Sequence, residues 1–281
     1  MVKKHLSRIY MGIIFIFLYA PIIVLAVFSF NESKSRGNWT GFSFKWYLEL
    51  FRDNDIRSAF YYTILIAITS AIISTILGTL AAIGINGMKG KKKSIALNIN
   101  YLPVVNPDIV TGISLMILYI SFGISFGFKT ILISHIVFNT PYVILSVLPK
   151  LKQLDVNMTE AAMDLGATPT YALRKVIIPE IKPGIITGFL MAFTLSIDDF
   201  IISYFTKGEG VTNLSIVIYS MARRGVRPTI NALSTILLIV VLLLMLLTNK
   251  RSNAIEKSKK SGKSNLVICQ EKKINKIKRI D

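Results

Sequence analysis

Apolar positions along the chain gather into six runs, each close to the roughly 20 residues that cross a hydrocarbon core of about 30 Å. The runs cover approximately 9–30, 59–85, 95–120, 130–148, 184–205 and 229–248, with polar segments between them. None shows the alternation of a barrel strand. Lipid offers the backbone no hydrogen-bond partners, so every run is expected to be a helix. Pro21, Pro103, Pro107 and Pro141 fall inside runs. They predict kinks or breaks where neighbouring helices shelter the freed carbonyls. The first run is too long for the apolar part of a cleaved signal, and Asn31-Glu32-Ser33-Lys34 follows it in place of a small-residue cleavage site. An uncleaved first span is expected.

Charge then orients the spans. The net charge is +18, from 33 Lys+Arg against 15 Asp+Glu. Such an excess can signal nucleic-acid binding, but here the basic residues sit between apolar runs, where they mark cytoplasmic segments. With the N-terminus inside, 1–8, 86–94, 149–183 and 249–281 hold 23 Lys/Arg, and 31–58, 121–129 and 206–228 hold 10. Without the last segment the bias is 12 to 10. The short cluster Lys89, Lys91, Lys92 and Lys93 is the strongest single marker. Both ends are therefore expected in the cytoplasm. With one cysteine, Cys269, and two histidines, neither a disulfide framework nor a metal site is expected.

The segment 250–281 is rich in Lys and Ser, has little to bury and is expected to be a disordered basic tail. Its Gly262-Lys263-Ser264 has the ending of a phosphate-binding loop, but the required first glycine is replaced by Lys257 and no strand precedes it. A nucleotide site in this chain is not expected.

The segment 150–183 is polar enough to leave the membrane yet patterned. The spacing predicts a helix over 154–165 capped by Gly166, then a restart with Thr168 as N-cap and Pro169 in the first turn. That second helix is expected to end near Ile178, ahead of Pro179 and Pro183. A helix–turn–helix on the inner face is either a docking surface or a plain surface loop.

Here a resemblance enters. Glu160-Ala161-Ala162, three residues, Gly166, nine residues, then Val176, Ile178 and Pro179 is similar to the EAA loop of bacterial ABC importer permeases. Val176 and Ile178 stand where that family usually has Ile and Leu. Pro21-Ile22-Ile23, Ser29-Phe30-Asn31, Lys45-Trp46-Tyr47, Pro107-Asp108-Ile109-Val110 and Ser196-Ile197-Asp198-Asp199 extend the likeness over residues 8 to about 247, towards the spermidine/putrescine permeases. The resemblance implies an all-α integral membrane protein, a six-helix bundle of the type I, MetI-like permease kind. It implies a permease domain over 1–249, with 150–183 as the coupling loop and 250–281 as the tail. Glu160, Ala161, Ala162, Gly166 and Pro179 would then serve coupling to an ATPase. The implied partners are a second, related permease chain, two ATPase subunits that hold the ATP and magnesium, and an extracytoplasmic polyamine-binding protein. This chain would hold no cofactor and perform no chemistry. The implied mechanism is alternating access.

Acidic residues in the spans carry the substrate question. A carboxylate at a span centre costs about 2.5–3.5 kcal/mol on insertion scales, so it normally faces a cavity or a partner. On a continuous helix Ser196, Asp199, Ser203 and Thr206 share one face, and Asp198 lies about 100° from Asp199. Asp199 is thus the first candidate for a cation path, with Asp198 second and Asp108 third. A purely internal ion pair is the competing reading. Asn106-Pro107-Asp108 also reads as a helix start. Trp46 and Tyr47, in the first external segment, are either interfacial anchors or stack on cationic amines. His135 and Asn139 are four apart in the fourth run, which suggests a hydrogen-bonded helix contact. Rival readings are a same-fold permease for iron, thiamine or an opine, and a stand-alone carrier or membrane enzyme. The EAA loop would go unexplained in a lone carrier, and no nucleophile–base set supports an enzyme.

Overall fold

The computed structural model describes residues 2–34, 38–155, 157–224, 228–236, 238, 239 and 242, with the backbone alone at 2–7, 9 and 224. Among the described residues there is no strand, only an isolated antiparallel bridge between Asn31 and Phe42. Two compact units divide them, one from the residues before 51 and after 226, the other from 51–226.

The first unit opens with helix α1 (Val2–Phe28), which keeps Pro21 inside it. After α1 the chain is tied by Asn31, buried to 1% exposure, whose amide donates to the Asn38 carbonyl (2.9 Å) and accepts from the Thr40 amide (3.0 Å). Helix α2 (Lys45–Arg52) buries Trp46 and Leu50. Phe30 stacks on Phe42 at 5.1 Å, with Phe44 and Tyr47 against the same ring. Residues 228–236 are helical and begin the sixth expected run, most of which lies outside the described residues.

The second unit contains α3 (Asn54–Gly87), α4 (Gly90–Val105), α5 (Asp108–Ser121), α6 (Phe128–Lys152), α7 (Met158–Asp164), α8 (Pro169–Ala172), α9 (Ile178–Asp198), α10 (Ile201–Thr206) and α11 (Leu214–Arg224). Asp53 starts α3 by accepting from the amides of Asp55 and Ile56. The bundle of α3, α6 and α9 is held by small residues. Ala67, Ser70, Ala71, Ser74, Thr75, Gly78 and Ala82 form the buried stripe of α3, while Ile72, Ile73, Ile76, Leu77 and Leu80 stand exposed. Lipid is as apolar as leucine, so large side chains gain nothing by turning inward, and close backbone packing decides which face is buried. A β-carbon on Gly78 would lie 2.7 Å from Val143, and one on Gly188 3.1 Å from the same side chain, so Val143 is gripped from α3 and α9 at once.

Among the described residues four helices are long and apolar enough to cross a membrane, and α4 with α5 make a fifth span if counted together. The third run breaks where Pro107 predicts it: α4 and α5 meet at 103°, at Asn106-Pro107. Three expectations are corrected. Pro107 occupies the cap position itself rather than the first turn. The fifth run is also broken, because α9 ends at Asp198 and Asp199 is extended (φ −64, ψ 120). Finally, the second helix of the 150–183 loop does not stop before Pro179. It passes through one π-helical turn, Leu173–Ile177, into α9, with Pro179 in the first turn and Pro183 inside. Pro179 has no N–H for the usual ladder, and the wider turn sits where that bond would be missing.

Candidate functional site

Two places gather the residues the sequence singled out. The first is the 150–183 loop. Helix α7 is shorter than expected, starting at Met158, and none of its residues is buried. Its end is a Schellman closure: the Ala167 amide donates to the Ala162 carbonyl (3.1 Å) and the Gly166 amide to Met163 (2.9 Å), with Gly166 at φ +87. Thr168 then caps the next helix, accepting from the Tyr171 amide at 3.3 Å. Glu160 and Ala161 are exposed on α7, Ala162 is half-buried, and Pro179 is exposed beyond the π turn. The reversal at Gly166 pushes Leu165 out to 91% exposure, with Met163 and Tyr171 also exposed. Sequence reasoning passed over Leu165; a large apolar residue before a capping glycine is the signal that could have found it.

The second is the break in the fifth span. Asp199 does not lie on a helical face shared with Ser196 and Ser203. Its carboxylate turns inward and starts α10: Oδ1 accepts from the Ile202 amide (3.1 Å), and Oδ2 accepts from the Ser203 amide and hydroxyl (both 2.8 Å). His135 Nε2 stands 3.3 Å from Oδ2, with the two side chains 2% and 6% exposed. The same imidazole reaches Ser203 through Nε2 (2.8 Å) and Ser196 through Nδ1 (2.6 Å), and Ser196 meets Ser70 at 3.2 Å. The carbonyls freed by the break are also satisfied: Asn213 donates to Asp199 and Ser215 to Ile197. Non-helical backbone at membrane depth persists only where it is paid for in this way.

Asp198, the last residue of α9, is exposed, as is Asp108 at the start of α5. Asp108 lies close enough to Asp199 for the two carboxylate charges to interact. Beside the break Phe200 packs on Tyr219 (4.3 Å) and Tyr204 (5.4 Å), and both tyrosines are nearly half exposed. Arg223 sits 6.0 Å over the Tyr219 ring, so this aromatic face already holds a cation. The remaining candidates are internal. Ser196 is buried in the histidine network, and Trp46 is 1% exposed with its indole N–H donating to the Asn31 carbonyl at 2.6 Å. Tyr47 hydrogen-bonds Ser29 at 2.7 Å. Among the described residues no cluster could hold a metal ion. His135 is the helix contact the sequence suggested, while Asn139, one turn on, is buried without a hydrogen-bond partner.

Residues 74–259 match the sequence profile of the family described as the inner membrane component of binding-protein-dependent transport systems. The spermidine/putrescine transport system permease protein PotC of Escherichia coli K12 is 40% identical over 238 residues, 85% of this chain and 90% of that protein. The putrescine transport system permease protein PotI of the same strain is 41% identical over 232 residues, 80% of this chain and 82% of that one. A bacterial ABC transporter that imports the acidic polysaccharide alginate contains a chain of the same fold, with TM-score 0.65, 18% identity, and 88% of this chain and 96% of that chain covered. So does the methionine ABC transporter MetNI, at TM-score 0.57 and 20% identity over 70% and 93% of the two chains.

Proposed function

The chain belongs to the inner membrane components of binding-protein-dependent transport systems, and from that premise we propose that it is the permease subunit of an importer for linear polyamines such as putrescine and spermidine. The observation that carries the substrate is the pair of exposed carboxylates, Asp198 and Asp108, each at a helix break within a span. A polyamine holds two or three positive charges on flexible methylene chains, and taking it through a low-dielectric passage without counter-charge is very costly. Exposed carboxylates offset part of that cost while leaving release feasible. The aromatic rings of Phe200 and Tyr204 add weak cation and methylene contacts. Asp199 contributes to the path indirectly, by building the break.

In this reading the chain works with a second permease chain, two ATPase subunits and an external polyamine-binding protein, in the bacterial cytoplasmic membrane with both termini inside. The exposed helix α7, with Glu160, Ala161, Ala162 and the tip at Leu165, is the surface presented to an ATPase, and Gly166 and Pro179 shape it. ATP and magnesium belong to those partners. The domain is read as 1–249 and the basic segment 250–281 as a tail outside it. The test is uptake of labelled putrescine and spermidine in cells that lack this chain, with iron, thiamine and an opine as parallel substrates. Polyamine uptake should fall and return with the intact gene. Loss of a different solute, with polyamine uptake untouched, would overturn the assignment.

A further inference from the structure

Asp199 and Asp198 are neighbours with opposite surroundings, and the difference lies in one imidazole. The Ser203 hydroxyl has a single proton, and Asp199 Oδ2 takes it at 2.8 Å. Ser203 Oγ, which is also 2.8 Å from His135 Nε2, can then only accept from the ring. The network therefore assigns the proton to Nε2, and that N–H points at Ser203 and Asp199 together. Nδ1 is engaged with Ser196, which closes α6 onto α9 and, through Ser70, onto α3. Both sides of the break are thus held by one ring: Ser196 before it, Asp199 and Ser203 after it. Two backbone amides, a hydroxyl and the imidazole all point at the Asp199 carboxylate, three of them at Oδ2 and the Ile202 amide at Oδ1. With the side chain 6% exposed, the carboxylate is turned towards the protein and away from a transported ammonium.

We infer that His135 is a positioning residue for the cation path: its Nε2–H fixes Asp199 in the extended break, and that break is what presents the Asp198 carboxylate outward. The inference rests on the proposed polyamine reading for what passes Asp198, but not for the geometry. Glutamine places an amide N–H near the position of Nε2, whereas asparagine reaches only the position of Nδ1. His135→Gln therefore keeps the hold on Asp199, and His135→Asn keeps only the hold on Ser196.

The experiment uses the assembled importer, co-expressed with its companion chains. Cys269 is the chain's single cysteine, so Cys269→Ser with Asp198→Cys leaves one thiol, and its modification by a cationic methanethiosulfonate is read by mass on this chain. Modification should be equally fast with His135 and with His135→Gln, and at least roughly tenfold slower with His135→Asn or His135→Ala, the scale of a lost hydrogen bond to a charged group. In chains that keep Asp198, the KM for putrescine should rise with His135→Asn and stay put with His135→Gln. A purely structural role would reduce the amount of assembled importer without separating these two variants. Modification of His135→Asn at the wild-type rate, or of His135→Gln as slowly as His135→Asn, overturns the inference. Should the alanine variant fail to assemble, the Gln/Asn pair decides. If the wild-type importer takes up no polyamine, the proposed substrate falls, and the modification rates still decide the role of His135.

Discussion

Asp198 and Asp199 differ by one position and should differ in what their loss does. Asp199→Asn weakens a buried carboxylate that accepts from two amides, a hydroxyl and an imidazole. The expected cost is about 2 kcal/mol of stability, seen as a lower unfolding temperature of the detergent-solubilised protein. Asp198→Asn changes an exposed side chain and should leave stability within about 0.5 kcal/mol, while polyamine uptake drops. An unchanged melting temperature for Asp199→Asn would contradict the network. The sequence made both acids legible as residues that no span keeps idly. It could not say which one faces outward, because that turns on a single extended residue, and a helical wheel assumes there is none. Trp46 shows the same limit. An aromatic in an external segment reads as a surface anchor, yet its indole N–H finds the Asn31 carbonyl and the ring is buried.

At the scale of elements the caps of the 150–183 loop were readable and its continuity with the fifth span was not. Thr168-Pro169 and Gly166 sit where their chemistry requires them. What misled was Pro179, since a proline normally closes a helix, and here a π turn carries the chain past it. Gly166 has nothing within 4 Å of where a β-carbon would lie, so its role is conformational rather than steric. Gly166→Val should cost about 1–2 kcal/mol at that left-handed position. ATP-driven uptake should fall more than for Gly166→Asn, because Asn tolerates positive φ. Equal uptake for the two variants would mean that the sharp reversal does not shape the proposed docking surface. Within the bundle, Gly78→Ala brings a methyl to 2.7 Å from Val143 and should destabilise by about 1–3 kcal/mol. Val143→Ala should recover part of that loss in the double variant, a coupling expected only of residues in contact. Thermal unfolding of the four proteins measures it.

For the whole molecule the pattern is that of a component. Phe17, Leu80 and Val105 are among many large apolar side chains left exposed, as suits a surface that meets lipid or other membrane helices. The proposed division of labour leaves ATP to other subunits. The chain purified by itself should hydrolyse no ATP above background, and activity should appear only with the ATPase chains present. The six apolar runs announced the multi-pass architecture. Their count could not announce that two of them are broken, because hydropathy records how much apolar surface a segment has and not where its backbone bends.

The π turn at Leu173–Ile177 welds the short helix after Thr168 to the fifth span, so that Pro169–Asp198 is a single rod of 30 residues, about 45 Å long at 1.5 Å per residue. One end stands next to the exposed α7 and the other carries Asp198. Such a rod behaves as a lever: a tilt of about 5° imposed near Pro169 would swing the carboxylate end by about 4 Å over that length. The stiffness of the lever is set at its weakest section, the five residues of the wide turn. Softening that section with glycine at Lys175 would let the near end move while the far end stayed still, so that ATP is spent and no cargo moves.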